Sequence, residues 1–480
     1  MANYLHGVET IELNIGPRPI SVVKSAVIAL VGIAPEGPRQ TLTLVQTQTD
    51  AAQFGAKLPG FNIPKALQAI QRQGAGTVIV VNVFNPTTHT EAVTETKIVT
   101  NGKFRLTDPQ IIDAAASLEL VLTDGADEPD TVTYVEGTDY TVNKFGDVTI
   151  IPGGAISEGD TVTCSYSRLD ADAVANADII GAIDPDTDVR TGFKLYEVMF
   201  NQFGFNPRII IAPGYSQVKA ISDEMITVAN KYRGHAIIDG QFATPVNALA
   251  GRGNVTTPFG TSSKRAILVF PALRAYDDYS QEDQNEPYSM FLAGVIAATD
   301  NTDGYWFSPS NREIRGITGL SMPITAAVND PQTQANLLNE AGIVTLFNSF
   351  GTGLRTWGNR SAAFPTNTAP SNFIPVQRTA DILHESLELA MLQFIDQPIS
   401  PALIDAIRDS VNGFIRTLIQ RGALIDGECT YDPAKNPNTQ IAAGQLVFDI
   451  AFMPPTPAER ITFESFIDIN LLSNLTTSNN

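Results

Sequence analysis

Apolar and polar positions alternate strictly near the start of the chain, where Ile11, Leu13 and Ile15 are separated by Thr10, Glu12 and Asn14. A period of two puts the two sets on opposite faces, so Thr10–Ile15 is predicted as a strand with one apolar face. Gly16-Pro17-Arg18-Pro19 ends it. The pattern then changes to apolar runs, Ala26–Ala34 and Val78–Val83, which lie inside the predicted strands Val22–Ala34 and Thr77–Phe84. Runs of this length without a polar face suit strands buried on both sides and are too short to span a bilayer. Between them Pro64–Gln73 is a predicted helix, with Pro64 in its first turn and Gly74-Ala75-Gly76 beyond its end.

From about Thr87 to Arg168 the chain turns rich in Thr, Asp and Val. Short runs at Leu118–Leu122, Thr131–Val135, Tyr140–Val142, Asp147–Ile151 and Thr161–Tyr166 are separated by Gly and Asp turns, which predicts a small β-sandwich. Helical and strand patterns alternate afterwards: helix Arg190–Phe203, strand Pro207–Ala212, helix Gln217–Tyr232, strands Ala236–Asp239 and Arg265–Phe270, and helix Tyr288–Thr299. Such alternation implies an α/β fold with a largely parallel or mixed sheet. Then come a strand at Gly342–Asn348, helices at Thr379–Phe394 and Pro401–Gln420, and a strand at Gln445–Phe452 that stops at Pro454-Pro455. In the last segment Ile461, Phe463, Ile467, Ile469 and Leu471 return to a period of two, but Phe466 is out of phase. A strand and a helix both remain open there. No repeat of 20–50 residues is present.

Charge sharpens the picture. With 31 Lys and Arg against 51 Asp and Glu the net charge is −20, which argues against wrapping nucleic acid, because a phosphate-binding surface needs clustered cations. Residues 88–168 hold 14 acidic and 5 basic side chains, so nearly half of the net charge sits in about a sixth of the chain. We therefore expect this segment to be an inserted, solvent-facing domain. The 43% of hydrophobic residues suffices for buried cores. The N-terminus has no basic stretch followed by an apolar one, which predicts no secretory signal. Cys164 and Cys429 are the only cysteines and suggest neither a zinc site nor a disulfide framework, so reduced thiols are expected.

A search for catalytic patterns is negative. Gly102-Lys103 is followed by Phe104 where a Walker sequence needs Ser or Thr. His384-Glu385 lacks the second histidine of a zinc protease, since Glu388 stands there. Asp184, Asp186 and Asp188 begin like a calcium loop, but Val189 replaces the needed glycine and Leu195 the needed glutamate. Gly260-Thr261-Ser262 is similar to the nucleophile segment of subtilisin-type proteases. The upstream histidine, His235, lies too close in sequence and in the wrong context to serve it as base. No catalytic residue, metal site or cofactor is expected.

Several segments together carry a resemblance. Leu337-Leu338-Asn339-Glu340-Ala341-Gly342-Ile343-Val344-Thr345, the glycine- and tryptophan-containing stretch from Gly353 through Trp357-Gly358-Asn359-Arg360, the run Ala297–Asn311 and the opening Tyr4-Leu5-His6-Gly7-Val8-Glu9 resemble the tail sheath proteins of contractile-tailed phages and R-type bacteriocins. Val376-Gln377-Arg378-Thr379 departs from the paired arginines of that family, with Gln377 in place of one.

The resemblance implies an α/β chain, α+β overall. Its N-terminal arm would be residues 1–22. An outer, subtilisin-like but non-catalytic domain with a mixed sheet would comprise 23–87 and 169–339, interrupted by the β-sandwich at 88–168. An inner α+β domain would span 340–455 and a C-terminal arm 456–480. The family's arms add strands to neighbouring subunits, which assigns Thr10, Ile11, Glu12, Leu13, Asn14, Ile15, Ile461, Phe463, Ile467 and Ile469 to inter-subunit contacts. Gly16-Pro17-Arg18-Pro19 and Pro454-Pro455-Thr456-Pro457 would act as hinges beside them. Arg408 and Arg416, two turns apart on one helix with Asn412 between, would face the tail tube. The implied partners are further copies of the chain in a helical polymer of stacked hexameric rings, the tail tube, the baseplate and the tail terminator, with no nucleic acid and no stable membrane insertion. The implied place is the virion tail, after assembly in the host cytoplasm. A bacterial contractile injection apparatus and a subtilisin-like serine protease are the rival readings.

Overall fold

The computed structural model describes residues 20–74, 76–109, 121–124, 132–349 and 351–475. Its centre is a mixed sheet of eight strands: β1 (Ile28–Gly32), β2 (Thr43–Val45), β3 (Val78–Asn82), β4 (Ile209–Ile211), β5 (His235–Asp239), β6 (Ala266–Val269), β7 (Ile343–Ser349) and β8 (Gly353–Trp357). They are arranged in the order β8-β7-β6-β5-β4-β1-β3-β2. Strands β3, β1, β4, β5, β6 and β7 are parallel, and β2 and β8 close the two edges antiparallel.

The apolar runs explain the sandwiching of this sheet. Every residue of β1 and β3 is buried. Ala29, Val31, Ile79, Ile210 and Leu268 point into one core, and Ile28, Leu30, Val78, Ile209 and Ile267 into the other. Successive side chains of a strand project to opposite faces, so unbroken apolar runs supply two cores at once. The helices Ile63–Arg72 and Tyr288–Thr302 cover one face, and Lys219–Lys231 covers the other through Ile221, Met225 and Val228.

Residues 90–169 build two small antiparallel sheets. One contains Thr90–Ile98, Thr161–Leu169, Val121–Asp124 and Thr133–Tyr134, and the other Lys103–Arg105, Asp147–Ile150 and Tyr140–Val142. They share a separate core of Phe104, Leu106, Tyr140, Val148, Val162 and Tyr166. A fourth core lies between two long helices, α1 (Ile374–Met391) and α2 (Pro401–Gln420), and an antiparallel ribbon of Asp426–Thr430 with Asp449–Met453.

Several expectations change. Thr90–Ile98, paired along its length with Thr161–Leu169, is unmarked in the sequence because T-E-A-V-T-E-T-K-I is polar on both faces. The expected strand at Leu118–Leu122 appears as Val121–Asp124, its earlier residues lying outside the described ones. The expected helix at Arg190–Phe203 is a 3-10 turn at Gly192–Val198 followed by one short α-helix at Met199–Phe203. It starts at Gly192, whose φ of +52° a side chain would strain. The stretch after Gly353 is the edge strand β8, and the last strand is Asp449–Met453, with an unforeseen partner in Asp426–Thr430. The border expected at residue 340 falls inside the large sheet, since β7 hydrogen-bonds to β6 and β8 to β7. Local patterns could not show that a strand so late in the chain completes a sheet begun at residue 28.

Candidate assembly surfaces

The ribbon, the predicted tube-facing helix and the chain next to both termini lie at the fourth core. Ser400 caps α2 by accepting from the Leu403 amide at 3.2 Å, and Pro401 fills its first turn. The buried stripe Val411, Phe414, Ile415 and Leu418 of α2 meets Ile382, Leu383 and Leu387 of α1. The ribbon is fixed on α2 by Asn412, whose Nδ2 donates to the Cys429 carbonyl at 2.9 Å while its Oδ1 accepts from the Cys429 amide at 2.8 Å. Gly427 lets the strand approach this closely. A Cβ there would stand 3.0 Å from the Ala451 carbonyl and 3.2 Å from Ile415. Among the described residues each ribbon strand pairs only with the other. Asn412 and the Asp426 carboxylate occupy the outer edge of Asp426–Thr430 at Cys429 and Gly427, so the outer edge of Asp449–Met453 is the one that carries main-chain groups available for pairing.

The predicted arm residues Thr10, Ile11, Glu12, Leu13, Asn14 and Ile15 lie outside the described residues. The chain that follows them, at Ile20, Val22 and Val23, packs on the fourth core, and the Val23 amide donates to Ser386 Oγ at 3.2 Å. At the other terminus residues 457–468 form no helix or strand, and a 3-10 turn covers Ile469–Leu475. The apolar side chains of this segment face solvent, with exposures of 71% for Ile461, 89% for Phe463, 97% for Ile467 and 74% for Ile469. Folding of the described chain therefore leaves an apolar segment without an apolar partner. Arg408 sits in ion pairs with Asp405 at 2.9 Å and Asp409 at 3.3 Å, while Arg416 is exposed. Asn412 between them turns to the ribbon, so the three do not form one free stripe.

A polar seam joins α1 to the N-terminal ends of the central strands. Gln377, Asp381 and Glu385 recur every four residues on one buried face of α1. Asp381 accepts from Arg265 Nη2 at 2.8 Å and from Gln377 Nε2 at 2.9 Å. Glu385 pairs with Arg208 and accepts from Asn206 Nδ2 at 3.0 Å. Arg378 donates through Nη1 to Asp300 Oδ1 at 2.6 Å and through Nη2 to the Ser25 carbonyl at 3.3 Å. Burial lowers the Arg208 pKa to about 10, and burial followed by the Arg265 charge holds His235 well below the usual imidazole range. Gln377, where the resembling family has arginine, thus serves inside the seam as a donor to Asp381. Nothing in local sequence marks the seam except polar residues at helical spacing in an otherwise buried helix.

Several of the groups that a catalytic reading would use are tied into structure. The crevice where strand order reverses, between β1 and β4, is the usual ligand site of such sheets. Here Asn62 fills it: its Oδ1 accepts from the Ile33 amide at 2.8 Å, and a Cβ on Gly32 would lie 2.2 Å from that oxygen. Asp239, at the end of β5, accepts from Ser216 Oγ at 2.8 Å, Ser289 Oγ at 2.6 Å and the Ser289 amide at 2.8 Å, and burial raises its pKa. Asp184 accepts from the Asp186 and Thr187 amides at 2.8 and 3.0 Å, as a turn residue. Ser262 is exposed, whereas His235 is buried in β5 with no hydrogen bond at Nε2. Cys164 and Cys429 are both buried, and burial pushes the Cys164 thiol up to about 12.

Residues 188–362 match the model of the phage tail sheath protein central domain, and residues 366–468 that of the phage tail sheath C-terminal domain. The tail sheath protein of Burkholderia phage BcepMu is 43% identical over 485 residues, covering 100% of both chains. The tail sheath protein of Escherichia phage P2 is 26% identical, again across 100% of each. In fold the chain is similar to the helical sheath of the anti-feeding prophage in its contracted state, with a TM-score of 0.60, 15% identity and coverage of 97% of this chain and 100% of that one. Two matching domain models that together span most of residues 188–468 and a full-length relative at this identity lead to one conclusion: the chain belongs to the family of phage tail sheath proteins.

Proposed function

We propose that this tail sheath subunit, a structural protein and not an enzyme, polymerises helically around a tail tube through exchanged terminal arms, and that repacking of the polymer drives the tube through the host envelope to deliver the genome. The observation that carries the reading is the C-terminal segment, whose Phe463 and Ile467 are 89% and 97% exposed. A neighbour's ribbon of Asp426–Thr430 and Asp449–Met453 is the acceptor for residues 461–469 of one copy and 10–15 of another. Each main-chain hydrogen bond so gained contributes about 1 kcal/mol net, so a strand of this length holds by several such bonds before the cost of ordering it. The subunit divides in this reading into an arm at 1–22, an outer subtilisin-like body, an inserted sandwich at 88–168, an inner body and an arm from 456. The large sheet and the two matched domains support moving the inner border to about residues 362–373. Further partners are the baseplate and tail terminator, Arg408 and Arg416 face the tube, rings are hexameric, and assembly takes place in the host cytoplasm before the tail joins the virion.

Electron microscopy of the expressed chain against chains lacking residues 1–15 or 460–480 tests it. Full-length protein should form tubes or rings, and each truncated chain should stay folded but unassembled. Normal sheaths from either truncation would remove that arm from the account. An injection-apparatus sheath shares this physics, but the full-length relative at 43% identity is a phage protein, which favours the tail.

A further inference from the structure

Between the ribbon and the exposed arm the chain reads Pro454-Pro455-Thr456-Pro457-Ala458-Glu459-Arg460. Three prolines fix φ and remove amide donors, so this stretch cannot join a strand ladder. It lies instead along its own subunit. Pro454 is buried and Pro455 and Pro457 are half-buried, while Thr456 and Ala458 face outward. The stretch forms one wall of a groove of about 980 Å³ whose opposite wall includes Trp306, Phe307, Arg355 and Arg421. At its end Glu459 meets Arg360. The Arg360 Nε donates to the two carboxylate oxygens at 2.9 and 3.1 Å, and Nη2 donates as well.

Arg360 is prepared for this contact. Its guanidinium lies between the rings of Phe364 and Phe373, 4.2 and 4.0 Å from their centroids, and Nη1 donates to Asn372 Oδ1 at 2.8 Å. The backbone on both sides is locked as well: the Ser361 amide donates to the Asn372 carbonyl at 2.8 Å and the Ile374 amide to the Asn359 carbonyl at 2.9 Å. Rings on both faces and an amide oxygen on one corner leave the Nε–Nη2 edge pointing outward, the geometry that binds a carboxylate in fork fashion. The Glu459 side chain is 44% exposed while that of Arg360 is 16% exposed, so the receptor is rigid and its ligand stays accessible to water and to competitors.

We infer that Arg360 and the surface that buries Pro454 and half-buries Pro455 and Pro457 form a carboxylate-ended, proline-segment clasp that holds the C-terminal arm on its own subunit until a neighbour takes the arm. The inference rests on the reading of residues 461–480 as an assembly arm. While the clasp is closed, the free arm starts at Arg460, one residue before Ile461. When it opens, the origin retreats to Met453, and the six residues 454–459 add at most about 22 Å of reach at the extended-chain limit. A proline-stiffened segment loses little chain entropy on docking, and an exposed ion pair is weak, so the clasp is suited to reversible closure.

Trypsin reports on the clasp directly, because Arg460 provides a cleavage site just past Glu459. In the full-length subunit, Glu459→Gln should speed cutting after Arg460 about threefold to fivefold, the loss expected for one exposed charged fork. Arg360→Lys leaves the scissile sequence as it is and keeps the charge but loses the fork, so it should shift cutting the same way. Both variants should also polymerise without tube at a subunit concentration severalfold lower than the parent. Unchanged cutting in both variants overturns the clasp, and so does faster cutting with unchanged polymerisation. If removal of residues 461–480 leaves polymerisation intact, the arm reading falls, while the cutting rates still report whether the segment is held.

Discussion

Arg252 donates to five backbone carbonyls from three separate loops: Ala341 at 2.7 Å, Phe259 at 2.7 Å, Thr261 at 2.5 Å, Ala362 at 2.8 Å and Phe364 at 3.0 Å. No lysine can reproduce that fan, since an ammonium has three donors on one atom. Arg252→Met should cost about 3 kcal/mol or more, because several buried carbonyls lose a charged donor; denaturant unfolding of dispersed subunits measures it. Glu95, in the insert, gives a pH prediction. Burial would raise its pKa, but donation from Thr107, Lys97 and Tyr166 outweighs this and lowers it to about 2 from 4.5. A carboxylate held below its unfolded value stabilises the fold above that value and stops doing so as it protonates. The contribution is therefore complete above about pH 4.5 and fades toward pH 2. Glu95→Gln should flatten the acid dependence of insert unfolding across that window, followed by tyrosine fluorescence or amide exchange; an unchanged dependence would show that other groups set it.

At the scale of elements, the seam on α1 ties the helix pair to the large sheet through buried ion pairs. Removing one partner of a buried ion pair leaves an uncompensated charge, a loss of about 3–5 kcal/mol, whereas replacing both with apolar groups is often close to neutral. Asp381→Leu alone should therefore destabilise the subunit strongly, and Arg265→Met with Asp381→Leu should recover much of the loss. A double change as damaging as the sum of the single ones would mean that the pair itself is uncoupled. The same reasoning bears on α2. Charge reversal at Arg408 and Arg416 should impair sheath formation on the tube while leaving the fold intact, because Arg408 has only surface pairs with Asp405 and Asp409 to lose. Co-sedimentation with tubes reads this, and unchanged binding would take both residues off the tube-facing surface.

For the whole molecule the telling feature is how the insert is attached. Besides its two chain connections, its described residues meet the large body at Arg105, which lies over the Tyr279 ring at 4.6 Å and donates to the Tyr279 carbonyl at 3.2 Å, at Lys144, 2.9 Å from Glu36, at Phe145, which packs against the core of the large sheet, and at His89, 3.4 Å from Asp178. It has its own core and nearly half of the acidic excess. Carboxylates at a tight lattice contact would be desolvated and repel one another, whereas at the outer radius they stay hydrated and are screened within about 8–10 Å. A chain in which Phe84-Asn85 is rejoined to Asp170-Ala171 by a short Gly/Ser linker should still assemble and contract. Cryo-microscopy of that sheath checks it; failure to reach the extended state would put the insert in the lattice.

Residue order carries directly whatever local periodicity and charge encode. The unbroken runs at Ala26–Ala34 and Val78–Val83 specify strands buried on two faces whatever their neighbours are, and both became central strands. The acidic, turn-rich composition of 88–168 set that segment apart before any contact was known. The missing Walker, zinc and triad partners were equally plain, since those chemistries need particular residues at particular spacings. Tertiary structure alone decided everything that joins distant residues. It sent β7 and β8 to the edge of a sheet begun at residue 28, across the border that the resemblance implies at residue 340. It gave the polar strand Thr90–Ile98 its partner through main-chain bonds, which leave no side-chain signature. It also brought Arg360 to Glu459, 99 positions away, because a carboxylate receptor is built from directions and distances in space, and the order of residues along a chain does not record them.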